Sequence, residues 1–191
     1  MAIEIELKFA AEESAFEGLM AESSEWTRYE MATTYYDTPD AKLGSLRWTL
    51  RRRFENGVSV CTVKTPGKGL GRNEFELECD DIMEAIPHLI EMGAPKELLL
   101  YTAKGVMEVC AARFTRMAGK VHLDGAEAEL ALDKGELLGG GNVLPFVEVE
   151  VELKSGDLNA VAAYGEKLAK QFGLRPEPKS KYKRALTLAG K

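Results

Sequence analysis

At 191 residues with 45% apolar side chains, the chain has material for a sizeable core, and a single domain spanning residues 1–191 is expected. Its 25 basic and 31 acidic residues leave a net charge of -6, which argues against broad nucleic-acid binding, where a clustered positive surface supplies the affinity. No apolar run reaches membrane-spanning length, and the start Met1-Ala2-Ile3-Glu4 lacks the basic region and apolar core of a signal peptide, so a cytoplasmic protein with no membrane partner is expected.

Ile3-Glu4-Ile5-Glu6-Leu7-Lys8-Phe9 alternates as a strand does, with Glu4, Glu6 and Lys8 on one face and the apolar residues on the other. Residues 12–22 follow as a short helix. A strand at about 28–36 runs into the turn Asp37-Thr38-Pro39-Asp40. Strands at about 46–55 and 58–65 are joined by Asn56-Gly57, a pair suited to a tight hairpin. The loop 66–71 leads to a strand at 72–79, and helices are expected over 81–92 and 95–107. The second half reads as strands at 109–123 and 127–133, a glycine loop at 139–141, and a strand at 146–154. Ser155-Gly156-Asp157 then caps an amphipathic helix that stops at Gly173, and a last short helix begins near Ser180. Cys61, Cys79 and Cys110 are odd in number and lie in apolar strands, as reduced, mostly buried thiols do.

Sorting charges by strand face gives ordered rows. Arg47, Thr49, Arg51 and Arg53 share one face of their strand, with Arg52 the single charge in the apolar row. Thr62 and Lys64 follow on the next strand, then Arg72, Glu74, Glu76 and Glu78. Glu127, Glu129, Ala131 and Asp133 form another row beside Arg116, and Glu148, Glu150 and Glu152 a last one. A sheet with one solvated face would explain any one of these strands. Bases concentrated on the middle strands of the first half, and glutamates on terminal strands, point instead to a sheet closed into a barrel around a charged interior. Clustered Arg and Lys neutralise phosphate oxygens, and carboxylates facing them suit Mg2+ or Mn2+. The two histidines, His88 and His122, are too few for a zinc-type cluster.

Glu4-x-Glu6-x-Lys8, Tyr36-Asp37-Thr38-Pro39, Leu50-Arg51-x-Arg53, Thr62-Val63-Lys64, Arg72-x-Glu74, Phe114-Thr115-Arg116, Leu132-Asp133-x-Gly135, Glu148-x-Glu150-x-Glu152 and Ser180-Lys181 occur in one order over nearly the whole chain. In this the sequence resembles the CYTH domain, the triphosphate tunnel metalloenzymes, and most of all their bacterial inorganic triphosphatase branch. The resemblance implies an α+β fold, an eight-stranded antiparallel β-barrel forming a tunnel with helices packed outside. It also implies hydrolysis of inorganic triphosphate to diphosphate and phosphate with Mg2+ or Mn2+. By motif position Glu4, Glu6, Glu148 and Glu150 would hold metal. Lys8, Arg51, Arg53, Lys64, Arg72, Arg116 and Lys181 would bind phosphates, with Glu74, Glu129, Asp133 and Glu152 as supporting acids and Lys8 orienting or deprotonating the attacking water. An adenylate cyclase of the same fold, a thiamine triphosphatase, and a non-catalytic binder of polyphosphate or nucleotide are the alternatives. Oligomeric state is left open.

Overall fold

The computed structural model describes residues 2–67 and 71–190, with side chains from Ile5 onward. In chain order the strands are β1 (Ala2–Glu4), β2 (Glu6–Ala10), β3 (Trp26–Asp37), β4 (Thr49–Glu55), β5 (Val58–Pro66), β6 (Arg72–Glu78), β7 (Met107–Leu123), β8 (Ala126–Gly139), β9 (Asn142–Gly156) and β10 (Arg175–Pro176). The helices are α1 (Ala15–Leu19), α2 (Lys42–Ser45), α3 (Ile82–Glu91), α4 (Glu97–Thr102), α5 (Leu158–Phe172) and α6 (Lys181–Leu188).

All strands join one antiparallel sheet in the order β1-β6-β5-β4-β3-β7-β8-β9-β2-β10. β1 and β2 are one segment interrupted at Ile5, whose first half pairs with β6 and second half with β9. Counted as one, they leave eight principal strands and the two-residue β10. The sheet curls into the tunnel expected, with the β1–β2 segment lying between β6 and β9, while β1 and β10 do not pair with each other among the described residues.

The apolar rows point outward and are covered by helices. α5 and α1 lie over β2, β7, β8 and β9, burying Leu130, Val149, Val151, Val161 and Leu168 completely. α3 and α4 lie over β4, β5 and β6, where Leu50, Val63, Leu89 and Leu98 are equally inaccessible. Each such side chain contributes on the order of 1.5–3 kcal/mol through loss of apolar surface to water. Arg52 keeps its outward place by donating to the Asp80 carbonyl at 2.7 Å. The Asn56-Gly57 hairpin has φ of 47° and 98°, the left-handed pair that a tight twisted turn demands.

Three differences from the sequence reading have physical causes. β8 and β9 run on past the expected 127–133 and 146–154 and meet at a glycine hairpin. There Gly139 lies against the Ala185 carbonyl, leaving no room for a Cβ. The expected helix 95–107 is shorter, since α4 ends at Thr102 and the chain turns at Gly105 with φ 88°. Finally, α6 does not pack outside. Ala185 is buried against Met31, Ala112, Phe114, Leu137 and Phe146, which share the inner face with Arg116 and Glu148, so α6 fills one end of the tunnel. The inner rows therefore change from charged to apolar along their length. The three cysteines are free, and burial pushes the Cys61 thiol up to about 12.

Candidate functional site

The charged inner rows surround a narrow cavity of about 120 Å3, lined by Lys8, Arg51, Arg53, Lys64, Arg72 and Arg116 together with Glu6, Glu150, Glu152 and Lys181. A second hollow beside β2 shares Glu6, Lys8 and Arg72 with it and is lined further by Leu7, Pro176, Glu177 and Pro178. Of the residues singled out in the sequence, Glu4 has its side chain outside the described residues, while its backbone pairs with Arg72.

One wall is basic. Glu74 serves two cations there, with Arg51 and Lys64 each 3.2 Å from its Oε1. Arg53 donates to Thr33 Oγ1 at 3.1 Å and reaches Glu55 at 3.5 Å. Arg72 is stretched across the base of this wall, donating to the Arg47 carbonyl, Thr49 Oγ1 and the Lys64 carbonyl. Burial, and then the charges of Arg51 and Arg116, push the Arg53 guanidinium below its ordinary value. Lys8 projects from β2 with Glu6 at 3.2 Å.

The opposite wall is acidic and already paired. Arg116 grips Asp133 through two hydrogen bonds and also contacts Glu150. Lys181, from the start of α6, reaches Asp133 at 2.8 Å, Glu150 at 2.7 Å and Glu148. Arg184 takes the second Glu148 oxygen and faces Glu177 at 3.8 Å. Phe114 lies beneath both walls, with Arg53, Arg116 and Lys181 over its ring at 5.9, 5.8 and 5.2 Å.

These contacts split the two glutamates electrostatically. Burial raises the Glu148 carboxyl to about 7 against the pull of Lys181 and Arg184, with the Glu150 charge adding to the rise. Burial pushes Glu150 the same way, yet Lys181 and Arg116 overcome it and hold that carboxyl well below its ordinary range. Glu148 has no accessible surface and does not line the cavity. Glu152 does, and Glu129 lies apart, 3.5 Å from Lys154, which also binds Glu152 at 2.8 Å.

Oxygens of Asp133, Glu148 and Glu150 lie within 4.8 Å of one another, an all-oxygen set able to bind a divalent ion. The sequence placed Thr49 on the face of Arg51 and Arg53 and Ser180 beside Lys181 without giving either a role, and it missed Tyr35 and Tyr182 in the lining and Arg184 behind it. Arg184 had a readable signal, because Lys181 and Arg184 stand three apart and share a helix face.

Residues 2–186 match the sequence profile of the CYTH domain. The chain belongs to the CYTH family. A curated relative, the inorganic triphosphatase of Haemophilus influenzae, is 28% identical over 165 residues that cover 84% of this chain and 46% of that protein. The chain thus spans about half the length of that relative. Among solved structures, the CYTH chain is similar to the Hippeastrum protein HpAC1, named as an adenylyl cyclase and described with a dominant triphosphatase activity. The TM-score is 0.68 at 21% identity, covering 100% of this chain and 97% of that one. It is similar as well to the PH1819 protein of Pyrococcus horikoshii OT3, with TM-score 0.62 at 24% identity, covering 97% and 99%. These likenesses establish the curled antiparallel sheet as the CYTH fold. No helix among the described residues is long and apolar enough to cross a membrane.

Proposed function

We propose that this CYTH chain hydrolyses inorganic triphosphate to diphosphate and phosphate with the help of a divalent metal. The observation that carries the reading is the narrow cavity with Arg51, Arg53, Lys64 and Arg72 on one side and a three-carboxylate cluster on the other. A linear chain of phosphates needs dense positive charge along its length, which these bases supply. Mg2+ or Mn2+, held by acids from the Glu6, Glu148, Glu150 and Asp133 set, would neutralise charge on the transferring phosphoryl group. Glu4 belongs to the proposed ligands by its motif position alone.

The chain's own residues supply the remainder. Arg51 and Lys64 are held by Glu74, and Arg116 by Asp133, so their donors are aimed before substrate arrives. Lys8 lines both the cavity and the adjoining hollow, where it would orient the attacking water or take its proton. Phosphate release from triphosphate, ATP and thiamine triphosphate, each with Mg2+ or Mn2+, tests this. Fastest release from inorganic triphosphate is expected, and release from none of the three would overturn the reading.

A further inference from the structure

A lysine ammonium has three N–H donors and no acceptor. In this structure the Lys181 ammonium donates to Glu150 Oε1 at 2.7 Å and to Glu148 Oε1, and forms an ion pair with Asp133 Oδ2 at 2.8 Å. Lys181 lines the cavity, yet its ammonium is already paired with all three carboxylates of this wall. The rings of Phe114 and Phe146 lie 5.2 and 5.5 Å from its Nζ and close off retreat into the apolar end of the tunnel. The backbone is fixed as well, since Ser180 Oγ accepts from the Lys183 amide at 3.1 Å and Arg184 holds the far oxygen of Glu148. The rings leave the cavity as the open side for the Lys181 ammonium.

We propose that Lys181 is an exchangeable internal counter-ion: its ammonium and a divalent cation compete for the oxygens of Asp133, Glu148 and Glu150, and the displaced ammonium then engages the phosphate chain. This rests on the reading that the tunnel takes a divalent cation together with phosphate. A dication and an ammonium cannot share oxygens that lie within 4.8 Å of one another without strong repulsion. Arg116 keeps its hold on Asp133 and Glu150, and Arg184 on Glu148, so the acids stay in place while their partner changes. Cation and phosphate binding are thereby coupled in the favourable direction, each strengthening the other by the same factor.

The test reads the ammonium directly. The full chain, stripped with EDTA, is labelled by reductive methylation alone, with Mn2+, and with Mn2+ plus inorganic phosphate. Modification at Lys181 is then followed by mass spectrometry against the exposed Lys167. Labelling of Lys181, only 6% exposed, should rise several-fold with Mn2+ and fall again with phosphate. Labelling that stays level or drops with Mn2+ overturns the exchange. In a second measurement Lys181→Met should bind Mn2+ roughly tenfold more tightly than the parent, because the competing charge is gone. Unchanged or weaker binding by a folded variant overturns the proposal, and if the variant does not fold the labelling result decides. Neither measurement requires turnover. An active triphosphatase whose Lys181 labelling ignores Mn2+ refutes the exchange alone, whereas a protein that binds no Mn2+ refutes the metal reading with it.

Discussion

Arg116 and Asp133 face each other across neighbouring strands and form a two-pronged pair, Nε to Oδ1 and the terminal nitrogen to Oδ2, both at 2.7 Å. Asp133 is wholly inaccessible to water. Removing the Asp133 charge leaves the buried Arg116 with Glu150 as a remaining partner, so the cost falls below the about 3–5 kcal/mol of an uncompensated buried charge. Asp133→Asn should therefore lower the free energy of unfolding by about 1.5–3 kcal/mol in urea titrations. Arg28→Ala provides the contrast. Its bond to Glu30 is shorter, at 2.6 Å, but both side chains are more than half exposed, and the change should be under about 1 kcal/mol. Equal losses for the two variants would refute the account of the buried pair.

Glu148 gives a pH dependence with a definite sign. Its carboxyl titrates near 7 in the folded chain, above the ordinary 4.5, so between those values the folded protein holds a proton that the unfolded chain has released. The stability it contributes is full below pH 4.5 and is lost as the pH rises to 7. Glutamine imitates the protonated form at every pH. Glu148→Gln should melt close to the parent at pH 5 and above it at pH 8, with EDTA present throughout, while triphosphate turnover falls. A variant that melts lower at pH 8 would show that the charged form is the better fit.

Replacing Lys8 with Arg keeps the positive charge and removes a group able to give up its proton near neutral pH. If Lys8 takes the proton of the attacking water, the variant should still bind triphosphate and metal but lose most turnover, together with the rise of rate with pH. Calorimetry must accompany the kinetics, because the longer side chain can displace substrate. Retained rate with an unchanged pH profile would leave Lys8 as an electrostatic contact.

Gly139→Ala tests the placement of α6. A Cβ there runs into the carbonyl oxygen of Ala185, a backbone atom that cannot turn aside as a flexible side chain would. The helix must shift, and with it Lys181 and Arg184. The variant should lose about 1–3 kcal/mol of stability, as overpacked positions do. Its affinity for triphosphate should fall as well, although residue 139 does not line the cavity. Lower stability with unchanged affinity would show that α6 positions neither cation.

The strand rows were legible because side chains alternate strictly, so Arg51, Arg53, Lys64, Glu150 and Asp133 could be assigned to one side of the sheet from spacing alone. Arg52 was legible as the exception, and the Asn56-Gly57 turn through its chemistry. What spacing does not carry is which part of an inward row meets water and which meets another element. Phe114 and Phe146 share their rows with Arg116 and Glu148, and only the arrival of α6 decides that one end of the tunnel is dry. The glycines at 139–141 read as a loop, and Gly140 and Gly141 do form the turn; that Gly139 makes room for a helix was hidden because that helix lies far along the chain. Glu148 shows the limit for charge: strand alternation gave its face, but its depth follows from Lys181 and Arg184 covering it.

The break at Ile5 sets an order of assembly. Because residues 2–10 pair with β6 through one half and β9 through the other, the segment is not fully docked until Glu150 and its neighbours have been made and folded. During synthesis the segment leaves the ribosome long before its second partner exists, an apolar, strand-forming stretch with both edges unpaired and open to misassociation. Its alternating Glu4, Glu6 and Lys8 offset that hazard, since edge charges discourage pairing with other chains. The residues that give the tunnel its chemistry would thus also act as the nascent chain's own guard against aggregation.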